Sequence, residues 1–403
     1  MNVIFLTMSN LQGVAGRSVY VDLMRKFRNE GHHLTIVSPR ERRLGEHTSL
    51  KEVDGVQILG VRTLNLQKTN VIEKGLGQVL VEGQFKRAIK KHLGDVKVDL
   101  ILYSTPPITL MGVVKFLKKK NPQAKTYLLL KDIFPQNAVD IGMMSKSGVK
   151  GFIYKHFRKQ EKRLYQISDH IGCMSPANVQ YVLKHNPEIA PERVEVAPNS
   201  YEIQEPIILT EEQRNTIRKK YDLPTDRPVF IYGGNLGKPQ GIPFLIKCLD
   251  ANADRQDCHF LVVGNGTEYG RMETWYQEKK HQNISLFARL PKVDYDQLVR
   301  ACDVGLIFLD YRFTIPNYPS RLLPYLMEKK PIIAATDPNC DTGSIAEANG
   351  YGYWCPSNDV NAFTNCVDKL LKADRTKIGE AGYQYYLDNY TVDHTYRQIV
   401  KHL

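Results

Sequence analysis

VFIYGGNLGKPQG, Val229 to Gly241, decides how this chain of 403 residues is organised. A short apolar run reads as a buried strand over 229–233, glycines crowd its end at Gly233, Gly234 and Gly237, and a helical pattern opens at 241–251. Strand, glycine turn and helix in that order form the repeating unit of a parallel sheet covered by helices. Downstream the alternation continues. Strands are expected at 259–263, 284–287, 304–309 and 331–335, and helices at 270–280, 294–301, near Ser320 and at 344–349. Upstream, 201–228 is polar, charged and free of strand pattern, and reads as a linker. Before it lies a first alternation, with strands at 2–8, 33–38, 56–61, 100–104, 126–130, 170–174 and 194–197, and helices at 18–30, 78–93 and 150–165. The expected fold is therefore α/β, with two Rossmann-like domains whose parallel sheets face a central cleft. The domains are 1–200 and 229–375, and a helical tail, 376–403, could pack back on the first. One hydrophobic core rarely organises a chain of this length, which agrees with two domains.

Composition is that of an ordinary globular protein, 42% hydrophobic and 24% charged. Its seven cysteines are scattered, with no Cys-x-x-Cys pair, which argues for reduced thiols and against a disulfide framework or a structural zinc site. The opening MNVIFLTMSN lacks a basic leader and a cleavage site, so it reads as a first strand and not as a signal peptide. No apolar run reaches the roughly 18 to 20 residues that span a bilayer. Charge is unevenly divided: residues 1–200 carry 31 Lys+Arg against 17 Asp+Glu, the remainder 24 against 26. A basic first half fits an anionic partner, whether nucleic acid, acidic lipid or a phosphorylated substrate, and also fits a merely solvated face.

Several stretches carry chemistry. In YGGNLGKPQG (Tyr232 to Gly241) the glycines let a diphosphate approach the backbone and Lys238 neutralises charge, although a structural turn would look similar. It is neither a Walker A loop nor a full Rossmann Gly-x-Gly-x-x-Gly. Gly13 and Gly16 make a comparable turn after the first strand, where anions approach backbone amides. Lys131 and Asp132 stand where a buried strand ends, a place for a proton acceptor or a hydroxyl ligand, or for a cap or surface pair. Asp294–Tyr295–Asp296 invites a metal, but Asp294 is better read as a helix cap, and no metal is expected. KGFIYKHFRKQEKRLYQ (Lys150 to Gln166) is a basic amphipathic helix, suited to an acidic membrane surface or to packing on its own sheet. No Ser-His-Asp set, Gly-x-Ser-x-Gly elbow or His-Glu-x-x-His is present, so hydrolase chemistry lacks support.

In order and spacing, SNLQGVAGRS, STPPITLMG, KDIFPQNAVDIG, RKQEKRLYQISDHIGCMSP, PERVEVAPNS, YGGNLGKPQG, FLVVGNGTEYGRME, LVRACDVGLIFL and PSRLLPYLMEKKPIIAATD resemble the family 4 glycosyltransferases of GT-B fold over nearly the whole chain. Within that family the likeness is to transferases of bacterial capsule, O-antigen and exopolysaccharide synthesis, N-acetylfucosamine transferases included. The resemblance implies transfer of a sugar, such as an N-acetylated deoxyhexosamine, from a UDP-sugar to a polyprenyl-diphosphate-linked saccharide, with retention and without metal. It implies that the donor sits mainly on the second domain and the acceptor on the first.

Carried onto this sequence, the resemblance makes Gly234, Asn235, Lys238, Gln240, Ser320 and Arg321 donor-binding, together with Gly16 and Arg289, and puts Asp132 and Lys131 on the catalytic, acceptor side. Asn235 and Gln240 stand where many relatives have Arg and Lys. Two glutamates common in the family are replaced by Pro316 and Pro324, which leaves Glu328 or Asp341 to meet the ribose. The protein is then expected in the cytoplasm, against the anionic inner leaflet through the clusters at 118–120 and 150–163. A non-catalytic nucleotide-sugar or polyanion binder is the alternative; nucleic-acid binding lacks any reader motif.

Overall fold

The computed structural model describes residues 1–66, 69–106 and 108–403; Pro107, within the STPPITLMG motif, lies outside them. Two units divide the chain, one of residues 1–202 with 390–403, the other of 203–389.

In the first unit the order is β1 (Asn2–Leu6), α1 (Val19–Asn29), β2 (His33–Glu41), β3 (Ser49–Val53), β4 (Val56–Thr63), α2 (Val71–His92), β5 (Leu100–Thr105), α3 (Met111–Lys120), β6 (Lys125–Leu130), α4 (Gln136–Asp140), α5 (Gly148–Ile167), β7 (His170–Cys173), α6 (Pro176–His185) and β8 (Val194–Val196). They make one sheet in the order β3-β4-β2-β1-β5-β6-β7-β8. Helices cover both faces, so alternate residues of one strand serve different cores. Ile4 and Leu6 of β1 join Ile101, Leu128, Phe85 and Leu164 on one face. Val3 and Phe5 join Leu102, Met24 and Phe27 on the other. Every strand read from sequence is present. β3 was not foreseen: it runs antiparallel to β4 through the turn Asp54–Gly55, both at positive φ (54° and 72°), the Asp-Gly hairpin signal between two strand-like runs.

The second unit continues with α7 (Glu211–Lys220), β9 (Val229–Asn235), α8 (Ile242–Ala251), β10 (His259–Asn265), α9 (Tyr269–Lys279), β11 (Ile284–Phe287), α10 (Lys292–Ala301), β12 (Val304–Phe308), α11 (Leu322–Met327), β13 (Ile332–Thr336), α12 (Thr342–Ala348), β14 (Gly352–Pro356), α13 (Val360–Lys372) and α14 (Arg375–Asn389); α15 (Val392–Val400) returns to the first unit. Its sheet is wholly parallel, in the order β11-β10-β9-β12-β13-β14.

Three expectations change here. The segment 201–228, read as a linker, belongs almost wholly to the second unit and contains α7, opened by a capping box between Thr210 and Gln213. The tail is divided: α14 belongs to the second unit, while α15 packs on α1, with Tyr396 edge-on to Phe27 at 5.0 Å between centroids. Asp294 is not a cap, because α10 already begins at Lys292; Asp294 lies in the first turn and pairs with Lys220 at 3.0 Å.

α7 is anchored by charge. Arg218 is 1% exposed, and its Nη2 meets Asp303 Oδ2 at 2.5 Å, just before β12. The same carboxylate oxygen accepts the Val229 N–H at 2.7 Å, so helix, β9 and β12 share one anion. Arg218→Ala leaves that carboxylate largely buried and short of its main cation, which should destabilise the second unit by about 3–5 kcal/mol. Urea unfolding followed by tryptophan fluorescence reads this directly, since both tryptophans, Trp275 and Trp354, lie in that unit. An unchanged midpoint would show that the pair contributes nothing net.

Candidate functional site

In each sheet the strand order reverses beside the first strand of the unit, between β1 and β5 and between β9 and β12. Loops at the carboxyl ends of such strands diverge to opposite faces and open a crevice, the usual ligand position of open α/β sheets.

At the reversal of the second sheet, β9 ends in Gly233 and Gly234. Gly234 has φ +121°, a backbone that a side chain would strain. Arg321, at the start of α11, lies against this turn. Its guanidinium sits 4.4 Å from the centroid of the Tyr232 ring, and a methyl group on Gly234 would meet its Nη2 at 3.7 Å. Among the described residues Nη1 is buried with no hydrogen-bond partner, and no carboxylate pairs with Arg321. Burial works against its charge, but the surrounding phenols of Tyr232, Tyr325 and Tyr295 outweigh it and hold the guanidinium protonated. A buried cation without a counter-ion beside a glycine turn is suited to an anionic ligand.

The other expected donor residues are distributed around this point. Asn235 and Gln240 bond each other at 3.0 Å, and Gln240 also accepts the Gly237 N–H at 3.2 Å, so both brace the loop. Lys238 is exposed on the same loop and makes no ion pair among the described residues. Arg289 is exposed in the loop after β11. Ser320 does not cap α11. The N–H groups of Leu322 and Leu323 are spent on the carbonyls of Pro319 and Ser320, at 3.1 and 3.3 Å, so the helix does not offer these amides to a ligand. Pro324 is the third helical residue, where a missing N–H costs no intrahelical bond. Glu328 is engaged elsewhere: it follows the far end of α11 and pairs with Arg300 at 3.0 Å.

Asp341 stands at the start of α12. Nearer the strand, Asp337 follows β13 and is fully buried. Its Oδ1 accepts the N–H groups of Asn339 and Cys340, at 2.9 and 3.1 Å, while Oδ2 has no hydrogen-bond partner among the described residues. Burial pushes its carboxyl up to about 7. The same loop holds the chain before α11, through Asn339 to the Phe313 carbonyl at 2.8 Å and the Cys340 thiol to the Asn317 carbonyl at 2.9 Å.

In the first unit Lys131 and Asp132 follow β6. Lys131 Nζ donates to the Ala197 carbonyl at 3.1 Å, and burial pushes its ammonium down to about 7. Asp132 Oδ2 accepts from Asn137 at 2.7 Å and Oδ1 has no partner among the described residues; burial pushes this carboxyl up to about 6. Two groups titrating near neutrality at the end of one strand can exchange protons with a bound hydroxyl. Gly16, at φ +78°, lies in the loop after β1. That loop already holds an anion: Asp54 Oδ2 accepts the N–H groups of Val14 and Ala15 at 3.1 and 3.0 Å. Its role there was legible only in the Asp-Gly turn that goes with the unforeseen β3. Tyr295 was also missed, although it stands between the two aspartates first weighed as metal ligands: a methyl group on Gly233 would meet its hydroxyl at 1.9 Å.

Residues 213–385, within the second unit, match the family of glycosyl transferases group 1, and the fold of the chain is GT-B. The chain is 22% identical over 324 residues, 80% of its length and 78% of the relative's, to "Probable glycosyltransferase WbjE" of Pseudomonas aeruginosa. It is 24% identical over 209 residues, 52% of this chain and 49% of the other, to WcaI of Escherichia coli K12, named for colanic acid biosynthesis. Among solved structures, sucrose-phosphate synthase from Thermosynechococcus elongatus superposes with a TM-score of 0.76 at 16% identity, covering 100% of this chain and 98% of that one. HepE of Anabaena, in complex with UDP and glucose, does so at 0.69 and 14% identity, covering 100% and 99%.

Asp337 supplies a test of the site's electrostatics. A carboxyl raised from the usual range near 4 to about 7 binds a proton in the folded chain that the unfolded chain has lost, so stability falls as pH rises through that window. Asp337→Asn removes this penalty. The variant should match the parent near pH 4 and exceed it above pH 7, by on the order of 1–3 kcal/mol, in melting curves at the two pH values. A variant less stable at both would show that the carboxylate is satisfied as an anion.

Proposed function

We propose that this protein is a retaining, metal-independent glycosyltransferase that moves a sugar from a UDP-sugar to a saccharide carried on polyprenyl diphosphate, in the assembly of a bacterial surface polysaccharide. One observation carries the reading: the unpaired, buried Arg321 guanidinium beneath the Gly234 turn, at the reversal of the second sheet. The UDP and glucose bound by HepE and the colanic acid role named for WcaI support the donor and the pathway class. An N-acetylated deoxyhexosamine is the donor sugar that the family resemblance favours.

In this reading Arg321 and Lys238 stabilise the charge that develops on the departing diphosphate, the work a metal ion does in other transferases. Gly234 lets the phosphate approach. Asp337 and Asp341 are the carboxylates at the end of β13 left to meet the ribose hydroxyls, in place of the family glutamates absent at Pro316 and Pro324. Asp132, with Lys131 beside it, receives the acceptor hydroxyl. The chain then works at the cytoplasmic face of the plasma membrane, with its basic first unit toward anionic lipid.

Arg321→Ala should lower kcat/KM for the donor by about 100-fold or more, through both a higher KM and a lower kcat, and Lys238→Ala by about 10-fold. UDP release over a panel of UDP-, GDP- and TDP-sugars is the assay. Unchanged kinetics in both variants would sink the assignment. A second reading, a nucleotide-sugar binder without catalysis, is favoured by the two missing glutamates. Thermal stabilisation by UDP with no UDP release from any sugar, in the presence of lipid-linked acceptor, would select it.

A further inference from the structure

Among the described residues, most exposed large apolar side chains of the first unit gather at one edge of its sheet. Helix α5 turns Val149 and Phe152 to solvent at 82% and 77% exposure, with Ile153 at 47% and Met143 of the preceding turn at 63%. Helix α2 does the same with Leu76, Val79 and Leu80, spaced as one helical face and 54%, 77% and 45% exposed. Both stripes lie in the N-terminal halves of their helices. α2 enters from the carboxyl end of β4, and α5 follows the carboxyl end of β6 through α4. The short turn Ile108–Leu110, which leaves the carboxyl end of β5, packs against both helices. The two stripes therefore flank the carboxyl edge of the sheet, where Lys131 and Asp132 also stand. Leu44, 44% exposed after β2, adds to the same edge beside the exposed Arg42 and Arg43.

Isolated exposed apolar residues need no explanation, but a clustered set with unpaired lysines beside one of its stripes does. Lys150, Lys155 and Lys159 are exposed on α5 and make no ion pair among the described residues. By contrast, Lys118 and Lys120 of α3 are bound to Asp169 and Asp95, at 3.1 and 2.7 Å, just before β7 and β5. They mark the opposite, amino edge of the sheet, away from the N-terminal half of α5 that carries the apolar stripe. Of the 150–163 cluster, Arg158 and Lys162 are likewise held by Glu161 and Glu188.

We propose that the carboxyl edge of the first unit is a membrane-insertion surface: Phe152, Ile153, Val149 and Met143 of one stripe, with Leu76, Val79 and Leu80 of the other, enter the acyl boundary of an anionic bilayer while Lys150, Lys155 and Lys159 meet lipid phosphates. Charge complementarity selects this occupant, because unpaired lysines beside an apolar stripe gain from acidic headgroups and would repel the same edge of a second copy. The proposal deepens the reading of a lipid-carried acceptor. It assigns docking to apolar side chains at the acceptor-side edge and withdraws Lys118 and Lys120 from that role.

The test is vesicle flotation of the full chain, using phosphatidylcholine alone and phosphatidylcholine with about a third phosphatidylglycerol. The protein should float with the anionic vesicles and not with the neutral ones. Phe152→Asp with Ile153→Asp, and separately Val79→Asp with Leu80→Asp, should each cut recovery on the order of tenfold. Lys118→Gln with Lys120→Gln should leave it unchanged. Because the substituted apolar residues are exposed, these variants keep the parental melting temperature and its shift with UDP. No flotation by the parent, equal flotation by the aspartate variants, or loss through Lys118 and Lys120 would each overturn the proposal. So would self-association abolished by the same aspartate variants without flotation, which gives the edge to a second copy. UDP stabilisation is read without lipid, so a failure of docking and a failure of the donor site are told apart.

Discussion

The phenol of Tyr325 sets the second unit's carboxyl edge. β9 and β12 pair at only two positions, Phe230 with Val304 and Ile231 with Gly305, and then separate. Separation leaves buried backbone groups on β9 that need partners. Tyr325 takes both, accepting the Gly233 N–H at 3.2 Å and donating to the Ile231 carbonyl at 3.1 Å. Gly305 makes this possible, because a methyl group there would stand 2.4 Å from the ring. With α11 held in that way, Arg321 four residues earlier is laid on Tyr232 beside Gly234. The strand reversal opens the crevice, and one side chain both closes its floor and aims its cation.

The two glycine loops of the chain show how alike sequences reach unlike electrostatics. The loop after β1 has its amides filled by Asp54, so it is an internally neutralised turn. Around it Arg25 holds Glu202 at 2.7 Å and the buried Asp22 at 2.9 Å, which ties the loop to the last residue before the chain leaves the first unit. There Tyr201 pairs with Thr391, just after the chain returns, so departure and return are laced side by side. The loop after β9 carries the opposite imbalance, a cation with no internal anion. Both follow the first strand of a parallel sheet, and only what folds over each one distinguishes them.

Charge on the first unit separates in the same way. Its excess of Lys and Arg is plain in the composition, but ion pairs with Asp95, Asp169, Glu161 and Glu188 decide which cations are engaged, holding Lys120, Lys118, Arg158 and Lys162. What remains unpaired on α5 coincides with side chains that a soluble helix would ordinarily turn inward. Net charge indicates that an anionic partner is plausible; pairing decides which edge can meet it.

Taken alone, the sequence determined every strand except β3 and β14, because a strand buried on both faces must read as an apolar run between glycine turns and amphipathic helices, and these two are only partly buried. It determined the loops on which the functional residues sit, since those lie at strand ends whatever the packing. It did not determine which residues of those loops are free. Asp54, Tyr295, Tyr325 and Asp337 act through contacts with residues from about 40 to 90 positions away, or through burial that no local pattern records. Glu328 was suitable by spacing and was lost to Arg300; Lys118 and Lys120 were suitable by charge and were lost to two aspartates. Local chemistry limits what each position can do, and the tertiary structure decides which of these groups keep an unpaired charge or an unfilled hydrogen bond for a ligand.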